Sequence, residues 1–261
     1  MDLAAWSVSH FVRFLLVLSR LGGVFLITPL LGGRLVPGRI RLLLAVALSL
    51  AVFPVVETAS VSLPESWVVL LRGIGGEVGV GLVCGFVVNI VFIAAQMAGV
   101  ILSRHMGTAL AEVLNPLHES PLPILGKLFY ALALVVFVAV NGHHVLLAGL
   151  VRTFERLPLL QVSFDARVVG TMSGLMGDMF VLMIRLAAPA LVALFLVTIA
   201  MGMIARTMPQ VNVLVTGFPL QVCVGLVVTT LSLGAVAVLL STSFVWITQQ
   251  MDVVLRFLVP R

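Results

Sequence analysis

The chain has 261 residues, of which 61% are hydrophobic and only 10% charged, and its mean hydropathy is +1.25. That balance excludes an ordinary soluble domain and points to an all-α protein embedded in lipid. The net charge of +5 comes from basic residues scattered singly, without aromatic interleaving, so it does not mark a nucleic-acid surface.

A membrane helix needs about 20 apolar residues to cross a hydrocarbon core of roughly 30 Å. Six apolar blocks stand out: 6–31, 40–56, 78–102, 124–151, 168–204 and 213–240. They fit one integral membrane domain with no soluble domain beside it. The first block is expected to be a retained helix, because Asp2 stands where a signal sequence carries positive charge. It holds Arg13 and Arg20 seven residues apart, on one helical face. Each arginine at a helix centre costs ~2.5–3.5 kcal/mol on insertion, and each large apolar residue returns ~0.3–0.6 kcal/mol. The helix therefore inserts only marginally and needs partners for that face.

Gly32-Gly33 and Pro37-Gly38 bracket a basic turn with Arg34, Arg39 and Arg41, which makes residues 6–56 a helical hairpin with its tip toward the cytoplasm. A six-span count would put the 152–167 loop outside, yet it holds Arg152, Arg156 and Arg167. The two readings conflict.

Gly75, Gly79, Gly81 and Gly85 form one cluster of small residues, and Gly170, Gly174 and Gly177 form another; both suit close helix packing. The block 168–204 is too long for one straight span, and Pro189 is its candidate bend. Cys84 and Cys223 lie in apolar blocks and read as unpaired buried thiols. Residues 247–261 read as a short amphipathic tail.

No residues at catalytic spacing appear, and no enzyme, metal or cofactor is expected. His143 and His144 are adjacent and point to different faces of a helix; His105 and His118 lack further ligands at metal spacing. The costly charges are Arg13, Arg20, Arg72, Glu77, Asp178, Arg185 and Arg206, which by default pair with other helices or subunits. A small-solute transporter using Glu77 and Asp178 as carriers is the alternative of a different class. It would call for related halves with broken helices at mid-membrane, and no such pairing is visible.

The segment 103–123 carries Met106, Leu110, Val113 and Leu114 at three- and four-residue steps before Asn115-Pro116 ends the turn. Such an apolar element between membrane blocks suits a surface-lying segment or a plug in a pore. Residues 205–220, ARTMPQVNVLVTGFPL, set a breaker cluster between two apolar stretches, with Pro209 and Pro219 removing N–H donors.

The segments TPLLGGRLVPGRIRLLLAVALSLAVFP (28–54), LNPLHESPLPILGK (114–127), NGHH (141–144) and ARTMPQVNVLVTGFPL (205–220) occur in an order that resembles the FliR/SctT family of type III secretion export-gate subunits. The likeness covers nearly the whole chain, and NGH leans toward the flagellar rather than the injectisome branch. The resemblance implies one export-gate domain over 1–261, with a FliP-like half to about residue 200 and a FliQ-like half from about 201. It implies kinked, tilted hairpins packed in a helical assembly with multiple copies of FliP and FliQ, wrapped by FlhB and surrounded by FlhA. The setting would be the flagellar basal body in the bacterial inner membrane, and unfolded flagellar subunits would thread the centre. It also implies that Gly107 to Ser120 matches a pore plug, with Leu110 and Val113 in apolar plug positions and Leu110 where relatives often carry an aromatic. Asn115 stands where an aspartate is common, so no acidic role carries over. Arg206, Pro209, Gln210, Asn212, Gly217 and Pro219 match the second-half motif, assigned to a helix bend and subunit contacts.

Overall fold

Long apolar stretches with few breakers favour helix, because only a helix satisfies its own backbone polar groups in lipid. A computed structural model describes residues 3–28, 37–56, 66–108, 123–162, 165–208, 210 and 213–258. Among them all regular structure is helical: α1 (Leu3–Ile27), α2 (Gly38–Val56), α3 (Trp67–His105), α4 (Ile124–Ala139), α5 (Gly142–Arg156), α6 (Ala166–Thr207) and α7 (Val213–Leu258). Among the described residues, four helices are long and apolar enough to cross a membrane, or up to five if α4 and α5 count as one broken span. The chain is an all-α integral membrane protein.

The six apolar blocks become seven helices because the fourth is broken in two. At its break Asn141 adopts φ 55° and ψ 30°, a left-handed conformation that asparagine tolerates better than most residues. Gly142 follows and restarts the helix as α5. Elsewhere the helices outrun their blocks. α3, α6 and α7 have 39, 42 and 46 residues. At a rise of about 1.5 Å per residue they are roughly 60–70 Å long, about twice the hydrocarbon thickness. α6 continues through Pro189, and α7 through Pro219. The break in 205–220 lies between Thr207 and Val213. The stretch 247–258 is not a separate tail; it forms the last turns of α7, whose Met251, Val254, Leu255 and Leu258 are buried at helical spacing.

The described chain divides into two compact units: Met1–Ile90 with Asn141–Leu175 and Phe244–Arg261, and Val91–Val140 with Met176–Ser243. In the first, α1 packs on α2, where the rings of Phe14 and Phe53 meet edge to face at 6.0 Å. The first half of α3 presents Val80, Cys84, Val87 and Val88 to the core. α5 contributes Leu146, Leu150 and Phe154, and Gly149 lets the thioether of Met251 lie against its backbone. In the second unit Phe92, Phe129 and Phe137 form an aromatic core, with Phe92 and Phe137 5.3 Å apart between centroids. Gly99 and Gly126 bring α3 and α4 into backbone contact there, since a Cβ on Gly99 would strike the Leu125 carbonyl.

Candidate functional site

Two charged side chains of the first unit are wholly withdrawn from solvent: Arg20 and Glu77, both 0% exposed. Arg20 sits about two turns before the C-terminal end of α1, and Glu77 about three turns into α3. Glycines make their approach feasible. A Cβ on Gly81 would collide with the Arg20 carbonyl and lie 3.0 Å from the Gly23 Cα, and one on Gly23 would lie 2.5 Å from the Val78 carbonyl oxygen. With no side chain on either, the two backbones touch and the Arg20 side chain reaches across.

The Arg20 Nε donates to Glu77 Oε2 at 2.6 Å. Its Nη1 donates to Thr153 Oγ1 at 3.2 Å, and its Nη2 to the Leu157 carbonyl at 3.1 Å. The guanidinium plane also lies over the Phe154 ring, 4.3 Å from the centroid. The other Glu77 oxygen, Oε1, accepts the Leu160 N–H at 3.0 Å. The Thr153 hydroxyl in turn donates a hydrogen bond to the Leu150 carbonyl at 2.6 Å. One ion pair thus ties together α1, α3, α5 and the turn that follows α5. Leu160 holds a left-handed φ of 68° in that turn, where its N–H meets Glu77 and its side chain fills the space left open by Gly73. Burying two charges is tolerated only when each is paired and its remaining donors and acceptors are met. Here each guanidinium nitrogen and each carboxylate oxygen has a partner.

The other charges singled out in the sequence are placed differently. Arg13 is half-buried, and its Nε lacks a hydrogen-bond partner among the described residues. Arg72, Asp178, Arg185 and Arg206 are exposed. The arginines of the 152–167 segment are partly answered within the protein. Arg156 pairs with Asp252 at 3.1 Å, while Arg167 pairs with Asp165 at 2.7 Å and stands over the Phe257 ring. The glycine clusters also divide. Gly81 and Gly85 meet α1, whereas a Cβ at Gly75, Gly170, Gly174 or Gly177 would find nothing within 4 Å. Of the two thiols, Cys84 is buried and Cys223 exposed, so the expectation that both are buried fails for Cys223, which α7 turns outward.

Of the segment compared to a plug, only its root is described. Gly107 closes the α3 C-terminus with φ 74°, and its N–H reaches the Arg104 carbonyl at 3.0 Å. Met106 is fully buried against Gly225 of α7, and the Phe218 ring lies against Gly107. Leu110, Val113, Leu114, Asn115 and Pro116 lie outside the described residues, as do Pro209 and Asn212. Gln210 is an exposed turn residue; Gly217 is buried and Pro219 exposed within α7, and Pro189 is exposed on α6.

Sequence reasoning missed Thr153, Phe154 and the backbone of Leu157 and Leu160. They lie 83 to 137 residues from their partners, and the backbone groups carry no residue-type signal at all. Thr153 sits among Arg152, Phe154, Glu155 and Arg156 at the polar end of α5, and nothing in that pattern marks it as buried.

The arrangement holds helices together; among the described residues no three His, Cys, Asp or Glu side chains gather as metal ligands. Comparison with known proteins agrees with a role in export. The profile of the family described as "Bacterial export proteins, family 1" matches residues 11–245. The chain is 31% identical to the flagellar biosynthetic protein FliR of Bacillus subtilis (strain 168), over 91% of this chain and 92% of that protein. It is 28% identical to FliR of Escherichia coli (strain K12), over 85% and 83%. It is also 28% identical to the Yop proteins translocation protein T of Yersinia pestis, over 80% and 81%. By this near full-length match the chain belongs to the bacterial export proteins, family 1.

Proposed function

We propose that this export protein is a non-enzymatic channel subunit of the flagellar type III export gate in the bacterial inner membrane. With multiple copies of FliP and FliQ it forms the pore through which unfolded flagellar proteins leave the cytoplasm; FlhB and FlhA are further partners. The observation that carries this reading is the full-length relation to a flagellar biosynthetic protein. The fold supports it in two ways. α3, α6 and α7 are far longer than a bilayer core, so much of each helix needs protein or water rather than lipid around it. The most apolar 18-residue stretches of α6 and α7 are only 28% and 17% buried within the chain, which leaves wide apolar surface for other subunits and lipid.

The apolar segment from Met106 to Pro116 acts as the plug of that pore, hinged at Gly107. Arg20 and Glu77 act as an internal pin rather than as proton carriers, because both Glu77 oxygens are already engaged in a solvent-free site. That geometry weighs against the solute-transporter alternative. The Yersinia relative keeps the injectisome branch as the second reading within the same class.

The test is purification of a tagged full-length chain from its own membranes in mild detergent. FliP-like and FliQ-like subunits should come with it, and a strain lacking the chain should lose flagellar export. A chain that purifies alone, or whose loss leaves flagellation intact, overturns the reading.

A further inference from the structure

Several hydroxyls on the long helices fold back onto their own backbone. Thr198 donates to the Leu194 carbonyl at 2.9 Å, Thr230 to the Leu226 carbonyl at 2.8 Å and Ser243 to the Leu239 carbonyl at 2.7 Å. Two hydroxyls of the second unit behave differently. Ser103, in the last turn of α3, and Thr229 of α7 are only 1% and 3% exposed. The Ser103 Oγ and the Thr229 Oγ1 lie away from solvent with no hydrogen-bond partner among the described residues. A buried hydroxyl is costly unless something bonds it, and in native proteins such groups are as a rule met by protein or by ordered water.

The packing brings the two hydroxyls to one place. Met106 lies against Gly225, and the Phe218 ring lies against Gly107. The chain advances along α3 from Met106 to Gly107 while its contact on α7 moves back from Gly225 to Phe218, so the two helices run antiparallel here. Ser103 precedes Met106 and Thr229 follows Gly225, each by about one helical turn. Both therefore stand on the same side of the Met106–Gly225 contact, level with each other on facing helices. They do not bond each other directly.

Whatever joins them must be small and neutral. Among the described residues of the second unit the single carboxylate is Asp178, which is exposed. A cation held between two hydroxyls would thus be a buried charge with nothing to neutralise it. A water molecule both donates and accepts, and a buried water is typically held by two to four polar groups.

We propose that Ser103 and Thr229 form a binding site for one ordered water molecule, which bridges their hydroxyls and joins the last turn of α3 to α7. The bridge holds α7 against the turn that carries Met106 and Gly107. The site is internal to the second unit and does not depend on which other subunits the chain meets.

The direct test is a cryo-electron microscopy map of the full-length chain, as it purifies from its own membranes, at a resolution that shows ordered water. One density peak within about 3.2 Å of both hydroxyl oxygens is expected. An interface without that peak overturns the proposal, as does either hydroxyl turned onto its own helix or bonded to a residue of 109–122. A double-mutant cycle reads the same bridge in solution. Ser103→Ala and Thr229→Val each take one partner from the water and leave the opposite hydroxyl poorly met. Each should lower the thermal midpoint of the full-length chain in mild detergent by about 2–4 °C. Removing both hydroxyls removes both demands, so the double variant should melt no lower than the lower-melting single variant. Losses that add, or a single variant that melts above the unaltered chain, would show that the hydroxyls share no partner and would overturn the proposal. Should a variant fail to accumulate, the map of the unaltered chain decides.

Discussion

A guanidinium inside a helical core is stabilising only while its donors are met, and Arg20 meets Glu77, Thr153, Leu157 and the Phe154 ring at once. Removing one partner leaves a buried charge uncompensated. Glu77→Gln is therefore expected to destabilise the chain by about 3–5 kcal/mol. The reading is a lower thermal midpoint of the purified protein in detergent. Replacing both members, as Arg20→Met with Glu77→Leu, removes both charges and should recover most of the loss, since apolar residues of similar volume substitute well for a buried pair. A double variant no better than Glu77→Gln would show that the packing around the pair, and not its charge, sets stability. Arg20 and Glu77 were visible in the sequence as costly charges, but their pairing was not. Nothing local specifies a residue 57 positions away.

Glycines decide how the helices cross. Gly81 stands where α1 and α3 touch, and its missing Cβ is the space taken by the Arg20 carbonyl. Backbone cannot move aside as a side chain tip can, so Gly81→Ala should strongly reduce the amount of folded chain in membranes. Gly85→Ala is milder, because its Cβ would sit 3.1 Å from the Val24 carbonyl oxygen and 3.3 Å from the Ile27 Cβ. Gly170→Ala meets nothing within 4 Å and should leave the isolated chain unharmed, or stabilise α6 by about 0.5–1 kcal/mol through helix propensity. Thermal unfolding of the three purified variants ranks them; equal losses at Gly81 and Gly170 would contradict this assignment. The two glycine clusters look alike as spacing, and only the fold shows that Gly81 and Gly85 lie inside a helix crossing while Gly170 and Gly174 face open space. The broken α4–α5 pair teaches the same lesson. The block 124–151 is apolar throughout, yet a single left-handed Asn141 divides it.

The proposed channel assigns the described and undescribed parts of the chain different work. Met106 and Gly107 are anchored by Gly225 and Phe218, which gives the following segment a fixed root within its unit. Deleting residues 108–119 leaves that root, the Arg20–Glu77 pin and every described helix in place. Assembly with partner subunits should persist while the membrane becomes leaky to ions, measured as depolarisation in cells and as ion flux through reconstituted complexes. Membranes that stay tight after the deletion would refute a sealing role. An assembly that fails to form would show that the segment is a structural contact instead.

Apolar runs, breaker residues and charge counts depend on neighbours within a few turns, so the sequence alone determined that this is an all-α membrane chain, where the apolar stretches of its helices lie but not where α3 begins or α7 ends, and to which family it is similar. The charges that must be answered were equally plain, because desolvation is costly wherever the charge ends up. What answers them was decided only by the tertiary structure. Arg20 found Glu77 and the turn after α5 through contacts between distant segments, while Asp178 and Arg185 remained on an outer face, because which side of a helix meets the core depends on everything else that packs there.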